Sequence, residues 1–236
     1  METSAIQKIK KTADKLFARN LDTGRVLEVR FWEPDTLIEI DLHLPLINMN
    51  EWTEVPYIKF KVDEHIYRDY TPACWDAETH TCTVFVDAGH AGPGCNWARQ
   101  LRNGDAVYYL KTGTSQQQPD ALKTVVALGD ESSMGQLLAL QQMTMPQTRF
   151  SGAIVMNKEE HNKLFGEYFR SPLQALLRKD NYGHHTLMEW VLAQQYKLAD
   201  SVFYISGNNI MVTQLRKMLK QQGYGSAQIK VKGFWS

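Results

Sequence analysis

The stretch Tyr67-Arg68-Asp69-Tyr70-Thr71-Pro72-Ala73 sets a guanidinium, a phenol and a hydroxyl within four consecutive positions, Arg68 to Thr71. On a strand, side chains alternate between faces. Arg68 and Tyr70 therefore share one side, and Thr71 takes the other unless the strand ends there. Pro72 argues for an end, because it has no N–H for a ladder and holds Thr71 extended. The set suits a flat, phosphorylated ligand: Arg grips a phosphate through its fork, Tyr lies against a ring, and Thr hydrogen-bonds a ring edge. An ordinary alternating strand stopped by a proline accounts for the same residues without a ligand.

A second stretch, Gly89-His90-Ala91-Gly92-Pro93-Gly94-Cys95-Asn96-Trp97-Ala98, is glycine-rich and leads into a short helix expected over Asn96 to Arg102. Glycine-rich turns at a helix start present backbone N–H groups at the positive end of a dipole, which suits a phosphate. A wide loop with a helical plug is the other reading. Two more glycines, Gly129 and Gly207 (in Gly207-Asn208-Asn209), are expected just after strands. Open α/β sheets bind ligands at such places, although neither is a GxGxxG.

These residues need elements to hold them. Up to about Thr114 the signals are short strands: Arg25–Phe31, Leu37–Leu44, Tyr57–Val62, Tyr67–Thr71, Thr81–Ala88 and Ala106–Lys111. Turns at Glu33 to Asp35 and Asn103 to Asp105 punctuate them, and the spacing predicts a small antiparallel barrel. Gln116-Gln117-Gln118-Pro119-Asp120 reads as a polar linker. Beyond it strands and helices alternate. Strands are expected at Lys123–Leu128, Phe150–Met156, Leu173–Leu177, Ser201–Ser206 and Gln228–Lys232, and helices at Gln136–Gln142, Glu159–Phe169, Thr186–Tyr196 and Ile210–Gln222. That pattern predicts a doubly wound α/β parallel sheet. The expected organisation is therefore two domains, residues 1–115 and 120–236. At the front, Ile6, Ile9, Ala13, Leu16 and Phe17 have the spacing of an amphipathic helix.

Composition narrows the function classes. The 236 residues carry a formal charge of zero, which gives no bulk attraction to nucleic acid or an anionic membrane. Apolar runs fall short of a membrane helix. Cys74, Cys82 and Cys95 lack CxxC or zinc-type spacing, and an odd number without a secretory signal fits a reducing cytoplasm. No metal site is expected. His184-His185 are adjacent, so their side chains diverge, and they read as a helix start before Thr186.

Barrel, Arg-x-Tyr-Thr, glycine loop, linker and α/β module, in that order, resemble the ferredoxin reductase superfamily of FAD enzymes. Within it the chain resembles the siderophore-interacting protein family, the NAD(P)H-linked ferric-siderophore reductases. The matching residues are Arg68-Asp69-Tyr70-Thr71-Pro72, the Val86 to Ala98 loop with Gly92-Pro93-Gly94 and Trp97-Ala98, Gly129-Asp130-Glu131-Ser132, and Gly233-Phe234-Trp235. They span the chain from about Arg25 to its end. The sequence departs from the family at Val86-Asp87-Ala88, where members commonly carry a His, and at Asn208, where many have Glu.

The resemblance implies roles by position. Arg68 would meet the FAD pyrophosphate, and Asp69 beside it counts among the cofactor-binding residues. Tyr70 would lie along the isoalloxazine and Thr71 near its reactive nitrogen, so these two carry the catalytic assignment. Val86, Asp87 and Ala88 would border the flavin, while Gly92, Pro93, Gly94, Cys95 and Asn96 would wrap the pyrophosphate with Trp97 behind. Gly129, Asp130, Glu131, Ser132 and Ser133 would line the path of the nicotinamide nucleotide, with Ser206 and Gly207 near the nicotinamide. Trp235 would cover the flavin or adenine, or simply pack. Lys158, after the strand Phe150–Met156, stands where doubly wound domains discriminate the ribose 2′ position and favours NADPH over NADH, unless it is a solvated helix-start residue. Lys230 and Lys232 share one side of the last strand and would form a patch for an anionic ferric siderophore, unless they are solvated edge charges.

The implied activity is electron transfer from NAD(P)H, or from a reduced ferredoxin, through FAD to chelated iron(III). Siderophores hold iron(III) with hard oxygen donors that bind iron(II) less well, so reduction releases the metal. Flavin accepts hydride and passes electrons singly. A general NAD(P)H:flavin or electron-carrier reductase shares nearly all these motifs, and a non-enzymatic flavin- or siderophore-binding module shares most of them.

Overall fold

The computed structural model describes residues 21–235, so the amphipathic segment expected in Met1 to Asn20 lies outside the described residues, as do the side chains of Lys111 and Trp235. The chain first builds a seven-stranded sheet from β1 (Asp22–Trp32), β2 (Leu37–His43), β3 (Pro56–Asp63), β4 (Ile66–Tyr70), β5 (Ala73–Asp76), β6 (Thr81–Asp87) and β7 (Ala106–Thr114). The order is β4-β3-β7-β1-β2-β6-β5 with every neighbouring pair antiparallel. Register shifts in β1 and β3 mark bulges, which curl a sheet. The result is a half-barrel whose edges are β4 and β5.

Alternation explains its filling. Ile38, Ile40 and Leu42 of β2, Val84 and Val86 of β6, and Ile58, Phe60 and Val62 of β3 share one apolar interior. The helix α1 (Pro93–Gln100) closes that interior with Cys95 and Ala98.

The second sheet is wholly parallel, in the order β10-β9-β8-β11-β12. Its elements alternate along the chain: β8 (Thr124–Asp130), α2 (Met134–Met143), β9 (Phe150–Met156), α3 (Glu159–Tyr168), β10 (Leu173–Leu177), α4 (His184–Gln194), β11 (Ser201–Asn208), α5 (Asn209–Gln221) and β12 (Ile229–Trp235). Period-2 alternation sends Val125, Ala127, Ile154, Met156, Val202 and Tyr204 to the face covered by α2 and α3. Val126, Leu128, Ala153, Val155, Phe203 and Ile205 go to the opposite face with α4 and α5. Strand order reverses between β8 and β11, which makes their carboxyl ends the switch point.

The α2–α3 face also takes in Trp32, Leu37, Val55, Ala73 and Phe85 from the half-barrel. Phe169, just past α3, packs on Trp32 and Phe85 with ring centroids 6.3 and 6.0 Å apart. One apolar cluster thus joins the two sheets.

Several expectations need correction. The strand expected over Tyr67–Thr71 does end at Tyr70, but a short strand resumes at Ala73 and pairs with β6. The helix expected over Asn96 to Arg102 starts three residues earlier, because Pro93 is well suited to a first helical position. Gly129 and Gly207 lie inside β8 and β11 rather than beyond them. The glutamine-rich linker is not free: Gln117 is 3% exposed, its carbonyl accepts from Val55 N, and Tyr204 Oη donates to Gln118 O at 2.7 Å. The His184-His185 pair, by contrast, does start a helix as expected: His184 opens α4, its Nδ1 3.4 Å from Asp180 Oδ2.

Candidate functional site

Between the two sheets lies a cleft of about 770 Å³, within the size range of small-molecule and cofactor sites. The half-barrel contributes Tyr57 and Lys59 of β3, Tyr67 to Tyr70 of β4 with the following Thr71, Phe85 to Asp87 of β6, and His90 to Cys95. The α/β side contributes Ser132, Gly135, Gln136 and, from the last strand, Lys232 to Phe234, while Ser115 comes from the connection.

The wall at β4 is built by alternation. Arg68 and Tyr70 sit two apart on one face, both against the start of α1. A Cβ on Gly94 would lie 2.4 Å from Tyr70 Oη and 3.5 Å from Arg68 Cγ, so glycine is what lets the helix approach. The Tyr70 ring stacks on Trp97 at 5.6 Å and 19°, and Trp97 leans on Phe60. Burial pushes the Tyr70 phenol well above its ordinary pKa, with Cys95 adding to the rise and Arg68 opposing it, so the hydroxyl remains protonated. Arg68 is exposed and donates from Nη1 to Tyr67 O at 2.8 Å. Asp69, between Arg68 and Tyr70 in sequence, pairs with Lys59 at 2.5 Å.

The glycine segment delivers a helix start to the same place. Gly92 is the N-cap of α1 and Pro93 its first residue, so the first-turn amides, which a helix leaves without internal partners, sit beside Arg68. Cys95 Sγ lies 3.5 Å from His90 Nε2 and from Asp87 O. Asp87 accepts from Gly89 N at 3.0 Å, and burial raises its carboxyl pKa, with Glu131 and Asp130 adding to the rise and Gly89 N–H and His90 opposing it.

Thr71 joins the two sheets. Its Oγ1 donates to Gln136 Oε1 at 3.0 Å, and a Cβ on Gly135 would come within 2.7 Å of Thr71 O. The Gln136 amide in turn donates to Gln117 Oε1 at 2.7 Å and Ser115 Oγ at 3.2 Å.

The expected site residues divide into three groups. Arg68, Asp69, Tyr70, Thr71, Val86, Asp87, Gly92, Pro93, Gly94, Cys95, Ser132 and Lys232 all border the cleft. A second group gathers at the switch point, buried. Asp130 is 2% exposed, accepts from Ser132 N and Oγ and from Asn208 N, and its carboxyl pKa is raised by burial. Cβ atoms on Gly129 and Gly207 would strike Ser133 Oγ and Asp130 Oδ1, at 2.0 and 2.5 Å, so these glycines serve close packing of strand ends. Ser133 donates to Asp130 O, and Ser206 is fully buried with its hydroxyl unpartnered. Glu131 is 1% exposed and accepts from Asn157 N, Asn157 Nδ2 and His161 Nδ1 at 2.5, 2.7 and 2.8 Å, which ties β8 to the start of α3.

The third group stands apart from both. Ala88 is buried behind the loop, Asn96 points to solvent, and Trp97 backs Tyr70. Lys158 is exposed at the N-cap of α3. Lys230 is exposed on β12 away from the cleft, whereas Lys232 Nζ lies 5.7 Å over the Tyr57 ring. The Trp235 side chain is outside the described residues.

Gln136, Gly135, Ser115, Tyr57 and Phe85 border the cleft without having been singled out from the sequence, and Phe234, noted there only within the Gly233-Phe234-Trp235 match, borders it too. The signal for Gln136 was its place beside Gly135 in an otherwise apolar helical run.

Residues 29–115 match the model of the siderophore-interacting FAD-binding domain. No match was found among curated proteins. Among solved structures, the siderophore-interacting protein from Acinetobacter baumannii aligns at 13% identity over 91% of this chain and 90% of its own, with a TM-score of 0.72. A siderophore utilization protein from T. fusca aligns at 16% identity over 92% and 93%, with a TM-score of 0.70. The ferredoxin reductase in carbazole 1,9a-dioxygenase aligns at 13% identity over 91% of this chain and 69% of its own, with a TM-score of 0.75. Residues 29–115 thus match a siderophore-interacting FAD-binding domain, and the chain as a whole shares the two-sheet fold of these solved structures.

Proposed function

We propose that the chain is an FAD-dependent oxidoreductase that takes electrons from NAD(P)H and delivers them to ferric siderophores, releasing iron(II). The observation that carries this reading is the convergence of an exposed guanidinium, a Trp-backed phenol ring and a glycine-opened helix start on one cleft. These groups fit FAD: Arg68 and the first-turn amides of α1 offer positive charge and N–H donors to a pyrophosphate, and Tyr70 offers a flat face. The neutral phenol adds no charge beside the ring. FAD, when bound, accepts hydride and returns electrons one at a time.

The chain's own residues do the rest. Thr71 and Gln136 fix a polar edge where the two sheets meet, and Phe85 and Phe234 narrow the cleft with apolar surface. The switch point at β8 and β11 supplies the crevice for the nicotinamide nucleotide, with Lys158 near the 2′-phosphate. On this reading residues 1–115 hold FAD, residues 120–236 hold the nucleotide, and the protein works in the cytoplasm, where its three free cysteines remain thiols.

The test begins with the visible spectrum of the purified protein. A flavin spectrum bleached by anaerobic NADPH supports the reading. A flavin spectrum that neither nicotinamide nucleotide bleaches points to a binding module or to a reduced ferredoxin as donor. Substrate choice is tested with Lys230→Gln/Lys232→Gln. If these lysines guide an anionic chelate, reduction of ferric siderophore slows with salt in the parent and loses that dependence in the variant, because exposed attractions are screened over about 8–10 Å. Chelated iron reduced no faster than free flavin favours the general flavin reductase.

A further inference from the structure

Gln136 is 2% exposed, yet it lies on the cleft and bonds on both sides. Its carbonyl takes the Thr71 hydroxyl proton at 3.0 Å, and its amide N–H groups go to Gln117 Oε1 and Ser115 Oγ. Gln117, itself 3% exposed, continues the chain inward and ends it with an Nε2 that has no partner. A hydroxyl has one proton and two lone pairs. With the proton engaged by Gln136, Thr71 offers the cleft lone pairs alone.

We propose that Gln136 is a positioning residue that sets the hydrogen-bond polarity of Thr71, so that Thr71 meets a bound ligand as an acceptor. The inference rests on the flavin reading above. The reactive ring nitrogen of a flavin bears hydrogen only in the reduced form, so an accepting Thr71 favours reduced over oxidised FAD. Gln136 thereby raises the reduction potential of the bound flavin without touching it. Turning the Gln136 amide over alone would set two oxygens against each other at the 2.7 Å now spanned by N–H···O. Turning Gln117 with it would reverse the chain and make Thr71 a donor, which gives the opposite sign and so a clear refutation.

The test uses the FAD-loaded protein and the variants Gln136→Leu, Gln117→Met, Thr71→Val and Gln136→Leu/Thr71→Val. Circular dichroism verifies the fold, and dye equilibration reads the midpoint potential of bound FAD. Gln136→Leu is expected to lower the preference for reduced FAD about tenfold, which is ~30 mV for a two-electron couple. Gln117→Met shifts the potential in the same direction by less, and carries the test if Gln136→Leu fails to fold. The double variant lies no lower than Thr71→Val, because Gln136 acts through that hydroxyl. An unmoved potential, a rise, or additive shifts would overturn the proposal. A parent protein that takes up no FAD would overturn the flavin reading as well, and the spectrum distinguishes that failure from the others.

Discussion

Gly94→Ala isolates the contact that lets α1 reach β4. The added Cβ would sit 2.4 Å from Tyr70 Oη but 3.6 Å from Tyr70 Cζ and 3.5 Å from Arg68 Cγ. Only the hydroxyl is in the way, and it must retreat by about 1 Å to reach ordinary contact. The ring cannot slide freely, because Trp97 is stacked on it and Phe60 lies 6.2 Å away. Overpacking of this kind costs about 1–3 kcal/mol, while Ala in place of a helical Gly returns about 0.5–1 kcal/mol. The net expectation in the parent is a loss of about 0–2.5 kcal/mol of stability, from the same two terms. In a Tyr70→Phe background the obstacle is gone, and Gly94→Ala is expected to stabilise by about 0.5–1 kcal/mol. Urea unfolding of the four proteins of this cycle measures the coupling, and fluorescence titration with FAD follows the ligand. FAD affinity should fall about tenfold in Gly94→Ala, as the displaced ring loses its face on the ligand, and return to the Tyr70→Phe level in the pair. If Gly94→Ala has the same sign in both backgrounds, the steric account of that glycine is wrong.

Arg68→Ala should weaken FAD binding by about 1.5–3 kcal/mol, the worth of a charge-assisted phosphate contact; equal affinity in mutant and parent at low and moderate salt removes Arg68 from the site. Asp87→Asn tests the buried carboxyl beside the glycine loop. Burial raises the folded-state pKa of Asp87 above its unfolded value near 3.9, so the native state binds more protons than the unfolded chain and stability falls as pH rises from there through the raised value. Thermal melts across that acid window should show the decline in the parent and a flatter curve in Asp87→Asn. Lys158→Glu should lower the NADPH/NADH ratio of kcat/KM, and an unchanged ratio takes that residue out of nucleotide choice.

Much of the architecture was legible because burial is periodic. Ile38, Ile40 and Leu42 alternate into one core, and Val126 and Leu128 face away from Val125 and Ala127, so strand type and sheet class follow from the pattern. The strand Ala73–Asp76 was not legible, because four residues beside a proline carry too little alternation. The glutamines misled for a different reason. Gln116 to Gln118 read as part of a polar linker, but hydrogen bonds from Val55 N and Gln136 Nε2 hold Gln117 inward, and local composition carries no record of such partners. Glu131 read as a ligand contact by position, yet Asn157 and His161 engage both of its oxygens. At the cleft, Arg68, Tyr70 and Gly94 were visible as residue types in order. Gln136 was not, since its role depends on Thr71, Ser115 and Gln117, which the fold brings to it from distant connecting segments.

The apolar cluster shared by the two sheets bears on how anything enters the cleft. Trp32, Leu37, Val55 and Phe85 are each 6% exposed or less in that cluster. Uncovering four such side chains costs up to about 6–12 kcal/mol, comparable with the entire stability of an ordinary domain. The halves are therefore not free to swing apart like the jaws of a clamp, and the spacing between the β4 wall and the β8–β11 switch point is set once, at folding. Traffic has to pass along the rim, by Tyr57 and Lys232 and the exposed Phe234, where a few side-chain rotations suffice. Under the proposed function, a bulky electron acceptor would meet the cleft edge-on at a fixed aperture, with exchange governed by that doorway rather than by any closing of the whole molecule.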